Sequence, residues 1–202
     1  MPSTAAGPKT GPIAPRRQQI LDAAAELFAQ HGFRGVSIYD IGGAVGISGP
    51  ALYRHFANKE AVLAEMLVGI SERLLRVAQE RVAGTEPGEG TLRKLVDWHV
   101  EFALDNPALI TIQFRDLENL AESERRKVRR LQRGYVEIWA DAIRAAVPGT
   151  DEPTARSAAH AAFGLINSTP HSARLGREAT GVLLRSMALG ALLAPGALSR
   201  SG

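Results

Sequence analysis

The chain has 202 residues, 45% hydrophobic and 22% charged, enough for one domain with a real core or for a small module joined to a larger one. The absence of cysteine excludes a disulfide scaffold, a thiolate zinc site, an iron–sulfur cluster and a cysteine nucleophile. With no signal-like N-terminus and no apolar run fit to span a bilayer, the expectation is a soluble, cytoplasmic protein without membrane contact. The formal charge is only +3, carried by 4 Lys and 20 Arg against the acids, so bulk charge says little about partners.

Residues 1–15 hold four prolines, two glycines and no apolar periodicity, and are expected to form a flexible arm. From Arg16, Ile20, Ala24, Leu27 and Phe28 recur at helical spacing until Gly32 stops the pattern. Ser37 is placed to cap a second, short helix with Ile38, Ile41 and Val45 on one face, ended by Gly46. Ser48 is placed to cap a third, running to about Phe56 with Pro50 in its first turn. Asn58 opens a long fourth helix reaching about Val82, and Gly84 to Gly90 reads as a linker. Beyond it, helices are predicted at 92–105, 108–120, 123–147, 153–168 and 175–193, separated by Asn106-Pro107, Pro148-Gly149 and Thr169-Pro170. No strand-like alternation of useful length occurs, so the fold class is all-α.

The second and third elements, joined by Val45-Gly46-Ile47-Ser48, describe a helix-turn-helix, whose first helix braces a second that enters the DNA major groove. Ile38, Ile41 and Val45 supply a dry face, and Ile47 and Leu52 pack the reading helix on it. Ser48, Gly49, Pro50, Ala51, Tyr53, Arg54 and His55 are left outward. Small residues there allow close approach to base edges, while Tyr53, His55 and Lys59 can reach phosphates. An ordinary helical corner is the competing account. Lys9, Arg16 and Arg17 are candidates for a neighbouring minor groove.

The string from Ser37-Ile38-Tyr39-Asp40-Ile41 through Gly46-Ile47-Ser48-Gly49-Pro50-Ala51-Leu52-Tyr53-Arg54-His55-Phe56 to Asn58-Lys59-Glu60, together with Ile20 to Phe33, resembles the N-terminal signature of TetR-like (tetracycline-repressor-like) transcriptional regulators. The resemblance implies a homodimer with a DNA-binding head at 16–60 and an effector-binding and dimerisation body at 61–202. It implies phosphate contacts at Ser37, Ser48, Tyr53, His55 and Lys59, and base reading at Tyr39, Gly49, Pro50 and Ala51. It also implies a repressor on a palindromic, double-stranded operator, released by an effector, with the fourth helix as lever. Gly42, next to Gly43, stands where the family usually has Ala, so a head of marginal stability is expected.

In the body, Trp98, Phe102, Phe114, Trp139 and Phe163 fall on apolar faces and are candidates to line a pocket for a small hydrophobic effector, core packing being the alternative for each. Arg125, Arg129 and Arg133 share a face of the helix from Ser123. Either they are a solvated face, or they form a rim for the phosphates of an acyl-coenzyme A whose chain enters the pocket. The last two helices are rich in Ala and Gly among Leu, Val and Met, and the final one is apolar nearly all round, which pairing with a second copy would cover. His99, His160 and His171 are too scattered for a metal site and read as pocket, cap or surface residues, and no cofactor is expected. The chain has no phosphate loop, no His-Glu-x-x-His and no obvious carboxylate pair, so it reads as no enzyme. A drug-sensing efflux regulator would need acids at its pocket, for which Asp97, Glu101 and Glu137 are the candidates. A helical lipid-binding protein without DNA binding would leave Tyr39, Tyr53 and Lys59 unexplained.

Overall fold

The computed structural model describes residues 15–172 and 175–194. Every regular element among them is helical: α1 (Arg16–Gly35), α2 (Ile38–Ala44), α3 (Gly49–Leu52), α4 (Lys59–Val82), α5 (Glu89–Asp105), α6 (Pro107–Arg115), a 3-10 turn (Leu117–Asn119), α7 (Glu122–Ala146), α8 (Glu152–Ile166), α9 (Thr169–Ser172) and α10 (Arg177–Leu193). The arm expected at the N-terminus, Lys9 included, lies outside the described residues except for Pro15.

The N-terminal elements form where local chemistry asks for them. α1 breaks at Gly32 (φ 77°, ψ 154°), in the left-handed region that glycine enters without a Cβ penalty, and a further turn carries buried Phe33 back inward. α2 opens on a capping box: Asp40 N donates to Ser37 Oγ at 3.2 Å, while Ser37 N and Oγ each donate to Asp40 Oδ2 at 2.7 Å. These bonds hold the exposed Asp40 carboxyl below the usual carboxylate range, the Ser37 backbone bond contributing most. α4 is capped by Asn58, whose Oδ1 accepts from Ala61 N at 2.8 Å. At 24 residues it is about 36 Å long.

Three expectations are corrected. The reading helix is regular only over Gly49–Leu52, and Ser48 makes no side-chain cap. Arg54 N and His55 N bond three residues back, to Ala51 O and Leu52 O, because the chain tightens to bring Phe56 (2% exposed) into the core. Likewise α6 stops at Arg115, where Asp116 N closes on Ile112 O at 2.7 Å, and only a 3-10 turn follows. Thr169-Pro170 opens the short helix α9 instead of ending order, with Thr169 Oγ1 donating to Ala103 O.

Two cores result. The body core packs Leu92, Leu95, Trp139, Ile143, Ile166 and Leu184 from α5, α7, α8 and α10. The head core packs Ile20, Phe28, Ile41, Leu52 and Phe56 with Leu63 and Leu67 of α4, and also takes Ala108 and Ile112 of α6, Leu120, and Val128 of α7. The head's packing therefore runs along α4 past residue 60 and is closed by residues far downstream. Each fully buried Leu or Ile is worth roughly 1.5–3 kcal/mol, so these later residues carry a large part of a small head's stability.

The two glycines of α2 differ. A Cβ on Gly42 would meet Ile47 O at 3.0 Å, whereas one on Gly43 would meet nothing within 4 Å. Gly43→Ala is expected to stabilise the protein by roughly 0.5–1 kcal/mol. Gly42→Ala should gain less or lose stability. Denaturant midpoints of the two variants would decide, and equal gains would contradict the packing account.

Candidate nucleic-acid interface and effector cavity

On the outward side of the helix-turn-helix, Tyr39 and Tyr53 are 65% and 49% exposed, in contrast to the buried Phe28, Phe33 and Phe56 behind them. Pro50 and Arg54 are exposed with them, and Ala51 and His55 are half-buried. Gly49 is buried: a Cβ there would fall 2.6 Å from Tyr39 Cδ1, so the glycine seats the Tyr39 ring against the turn instead of opening itself to a groove. Ser48 and Ser37 are exposed, Ser37 with its hydroxyl engaged by Asp40.

Several cations named from the sequence are bound within the head. Lys59 Nζ donates to Phe33 O (2.9 Å) and Val36 O (2.8 Å) and lies 4.4 Å from the Phe33 ring centre. Arg17 spans His55 O and the Glu65 carboxylate, with its guanidinium 4.1 Å from the centre of the Phe56 ring. Arg16 donates to Val45 O at 3.1 Å. Arg16 and Arg17 thus brace the head and do not lie as a free minor-groove arm. Carbonyls at the ends of short helices lack intrahelical partners and attract cations.

The body contains a cavity of about 380 Å³ between α4, α5, α6, α7 and α8. Phe102, Phe114 and Phe163 line it, with Phe114 (69% exposed) at its mouth. Trp98 and Trp139 do not. Adjacent helix positions point about 100° apart, so Trp98 faces α4, beneath Arg73 and Arg81, while His99 faces the cavity. Trp139 is fully buried behind the wall, its ring edge-on to Phe163 at 4.9 Å. The sequence reading missed Tyr135 and Asn167, and left His99 open as a pocket, cap or surface residue, of which the structure gives the first. Tyr135 precedes Trp139 by one helical turn, a spacing that marks a shared face.

His99 is 3% exposed, with Nδ1 3.0 Å from Tyr135 Oη and Nε2 3.1 Å from Asn167 Oδ1. Burial brings its pKa down to about 4, against a smaller upward pull from Asn167, and burial also pushes the Tyr135 phenol up.

Among the described residues, the cavity wall contains no Asp, Glu, Lys or Arg. The acids that a cationic drug would need are committed elsewhere: Asp97 and Glu101 to Arg185, and Glu137 to Arg156. A second, open depression of about 490 Å³ adjoins the cavity through Gln132, Val136 and His160 and includes Arg129, Arg133 and Arg156. Arg125 does not line it; its guanidinium is taken up by Glu118 and Glu122, and Glu118 also accepts from Arg129 Nη2 at 2.8 Å. No helix among the described residues is long and apolar enough to cross a membrane.

α6 touches both centres. Ile112 is buried in the head core, while Ile110, Gln113 and Phe114 line the cavity. Arg115 then donates to Phe28 O and Ala29 O of α1, braced by the buried Asp116.

Comparison with known proteins agrees with this layout. Residues 20–66 match the model of bacterial regulatory proteins of the tetR family, and residues 85–171 match a tetracyclin repressor-like C-terminal domain. The chain belongs to the TetR family of regulators. It is 32% identical over 133 residues to the HTH-type transcriptional repressor KstR2 of Rhodococcus jostii, a match that spans 65% of each chain. A TetR-family regulator from Bordetella parapertussis superposes with a TM-score of 0.80 at 25% identity, over 92% of this chain and 98% of that one. FadR of Bacillus subtilis, solved in complex with stearoyl-CoA, shares the fold (TM-score 0.71, 18% identity, 89% and 98% coverage).

The His99 environment sets a pH dependence. Its folded pKa of about 4 lies below an unfolded value of about 6.5, so its contribution is complete above the unfolded value and is lost as pH falls towards 4. Relative to His99→Gln, the native protein should lose on the order of 3 kcal/mol of stability between pH 7 and pH 4. Parallel denaturation series at stepped pH would check this, and coincident slopes would refute it.

Proposed function

We propose that the protein is a homodimeric transcriptional repressor that binds a palindromic operator and leaves it when a small hydrophobic effector fills the body cavity. The carrying observation is α6, one face of which closes the head core while the other walls the cavity. An effector that displaces Gln113 or Phe114 shifts Ile112 and Arg115, and so the seat of α1. Such a ligand acts through its different affinity for two head arrangements. α4 supplies a second route, since Ser71 and Leu74 wall the cavity and Val62 to Leu67 lie in the head core.

In this reading Tyr39, Pro50, Ala51 and Arg54 face base edges, and Ser37, Ser48, Tyr53 and His55 face phosphates, joined by the remaining N–H of Lys59. Gly49 contributes by seating Tyr39. The dimer forms through α8 and α10, supported by the exposed Val182, Leu183 and Met187 on one side of α10. A two-fold dimer sets its reading elements about one DNA turn (~34 Å) or a multiple apart. The effector class favoured is an acyl-coenzyme A or related lipid. Its apolar part would occupy the cavity, and its phosphates would meet Arg129 and Arg133 in the adjoining depression; an acyl-CoA in a protein of the same fold supports the idea.

Selection of bound duplexes from a random pool, using protein freed of ligand, should enrich a palindrome whose binding weakens steeply with salt. Met187→Glu should abolish the enrichment together with the dimer. Failure of the native protein to enrich any sequence would overturn the regulator reading. Separately, Arg129→Gln with Arg133→Gln should weaken palmitoyl-CoA binding at least tenfold while Arg125→Gln leaves it near the native value, measured by calorimetry; equal effects would remove the rim.

A further inference from the structure

Three polar groups of the cavity, Tyr135, His99 and Asn167, form a row. Asn167 Oδ1 can only accept, so the 3.1 Å contact makes His99 Nε2 the protonated nitrogen; Nδ1 is then the acceptor for the Tyr135 hydroxyl at 3.0 Å. The row runs Tyr135 to His99 to Asn167. At one end the Asn167 amide nitrogen makes no hydrogen bond among the described residues, and at the other the Tyr135 oxygen, which the Trp139 indole N–H also approaches, keeps one of its two lone pairs. If the Asn167 amide is turned over, every proton in the row reverses and the two ends exchange roles. In both arrangements the row offers the cavity one donor and one acceptor, and neither carries charge.

Around this row the wall is mostly apolar, with Leu74, Phe102, Ile110 and Phe163; its other polar side chains are Ser71, Gln113, Gln132 and His160, and none of its described residues is Asp, Glu, Lys or Arg. His99 is stacked on Tyr135 and lies 4.9 Å from Phe163, which fixes its ring. A charge brought into such a wall gives up its water without a counter-ion, whereas a neutral oxygen exchanges one hydrogen bond for another.

We propose that the effector enters with an uncharged hydrogen-bonding oxygen, that of a ketone, ester, thioester or hydroxyl, which meets the free donor at one end of the Tyr135–His99–Asn167 row, and that carboxylates and ammonium ions are rejected. The proposal rests on the reading of this cavity as the effector site. It separates a thioester from the free acid of the same chain, because only the thioester presents a neutral carbonyl.

The test is equilibrium dialysis of the full-length protein with matched probes: 2-acetylnaphthalene, 2-ethylnaphthalene, 2-naphthoate and 2-naphthylmethylammonium. Because the ethyl compound differs from the ketone mainly by the carbonyl oxygen, the ratio of their affinities in native and Asn167→Leu proteins isolates that oxygen. Asn167→Leu should weaken the ketone relative to the ethyl compound by about five- to tenfold, and in the native protein both charged probes should bind at least tenfold more weakly than the ketone. Tyr135→Phe gives a second reading if Asn167→Leu does not fold. An unchanged ratio in the variants, or a charged probe that binds as tightly as the ketone, would overturn the proposal. If 2-ethylnaphthalene itself does not bind, the cavity reading fails and takes the proposal with it. Since no DNA is present, neither result depends on the operator.

Discussion

The structure depends on α6 being shared. A nine-residue helix, started by Pro107 and stopped at Arg115, has too few residues to hold a position alone. It is held by being wedged, with Ile112 in the core of one unit and Ile110 in that of the other. Interiors at crystal-like density do not absorb a displacement by thinning out. A movement of one α6 face must therefore appear at the other, and Arg115, anchored on main-chain carbonyls of α1, stops that movement from being lost as slippage. Sharing this helix also means that the head does not own its core.

The cavity is built on a compromise. A histidine enclosed by Tyr135, Trp139, Phe163 and Phe102 sits where an apolar side chain would pack with no desolvation cost. Both of its ring nitrogens are satisfied, which removes the penalty of an orphaned group and fixes the tautomer. That arrangement sets a fixed polar row in a mostly apolar wall, a distribution suited to orienting a ligand more than to gripping it.

The helices were legible because their signals are local. The Ser37 cap, the Gly32 break and the Asn58 cap each need only a few neighbouring residues, and the structure has all three. What was not legible depended on distant partners. Lys59 and Arg17 look like DNA contacts until the carbonyls of Val36 and His55 are brought beside them by folding. Trp98 looks like a pocket aromatic until the phase of α5 is known, and nothing near Tyr135 or Asn167 announces that His99 lies between them. The short reading helix was overestimated because Phe56 appears to continue its pattern, while burial of that ring in fact requires the chain to tighten.

The cations that hold the head share one property. Arg16, Arg17, Lys59 and Arg115 all reach main-chain oxygens, those of Val45, His55, Phe33 with Val36, and Phe28 with Ala29. A carbonyl is present whatever side chain its residue carries. The outward residues Pro50, Ala51, Tyr53 and Arg54 consequently bear none of this support, and exchanging them alters the lettering of the surface without loosening its mount. In the proposed role, a head constructed this way would drift to a new DNA sequence through single substitutions, each intermediate still folded and still packed on the same α6.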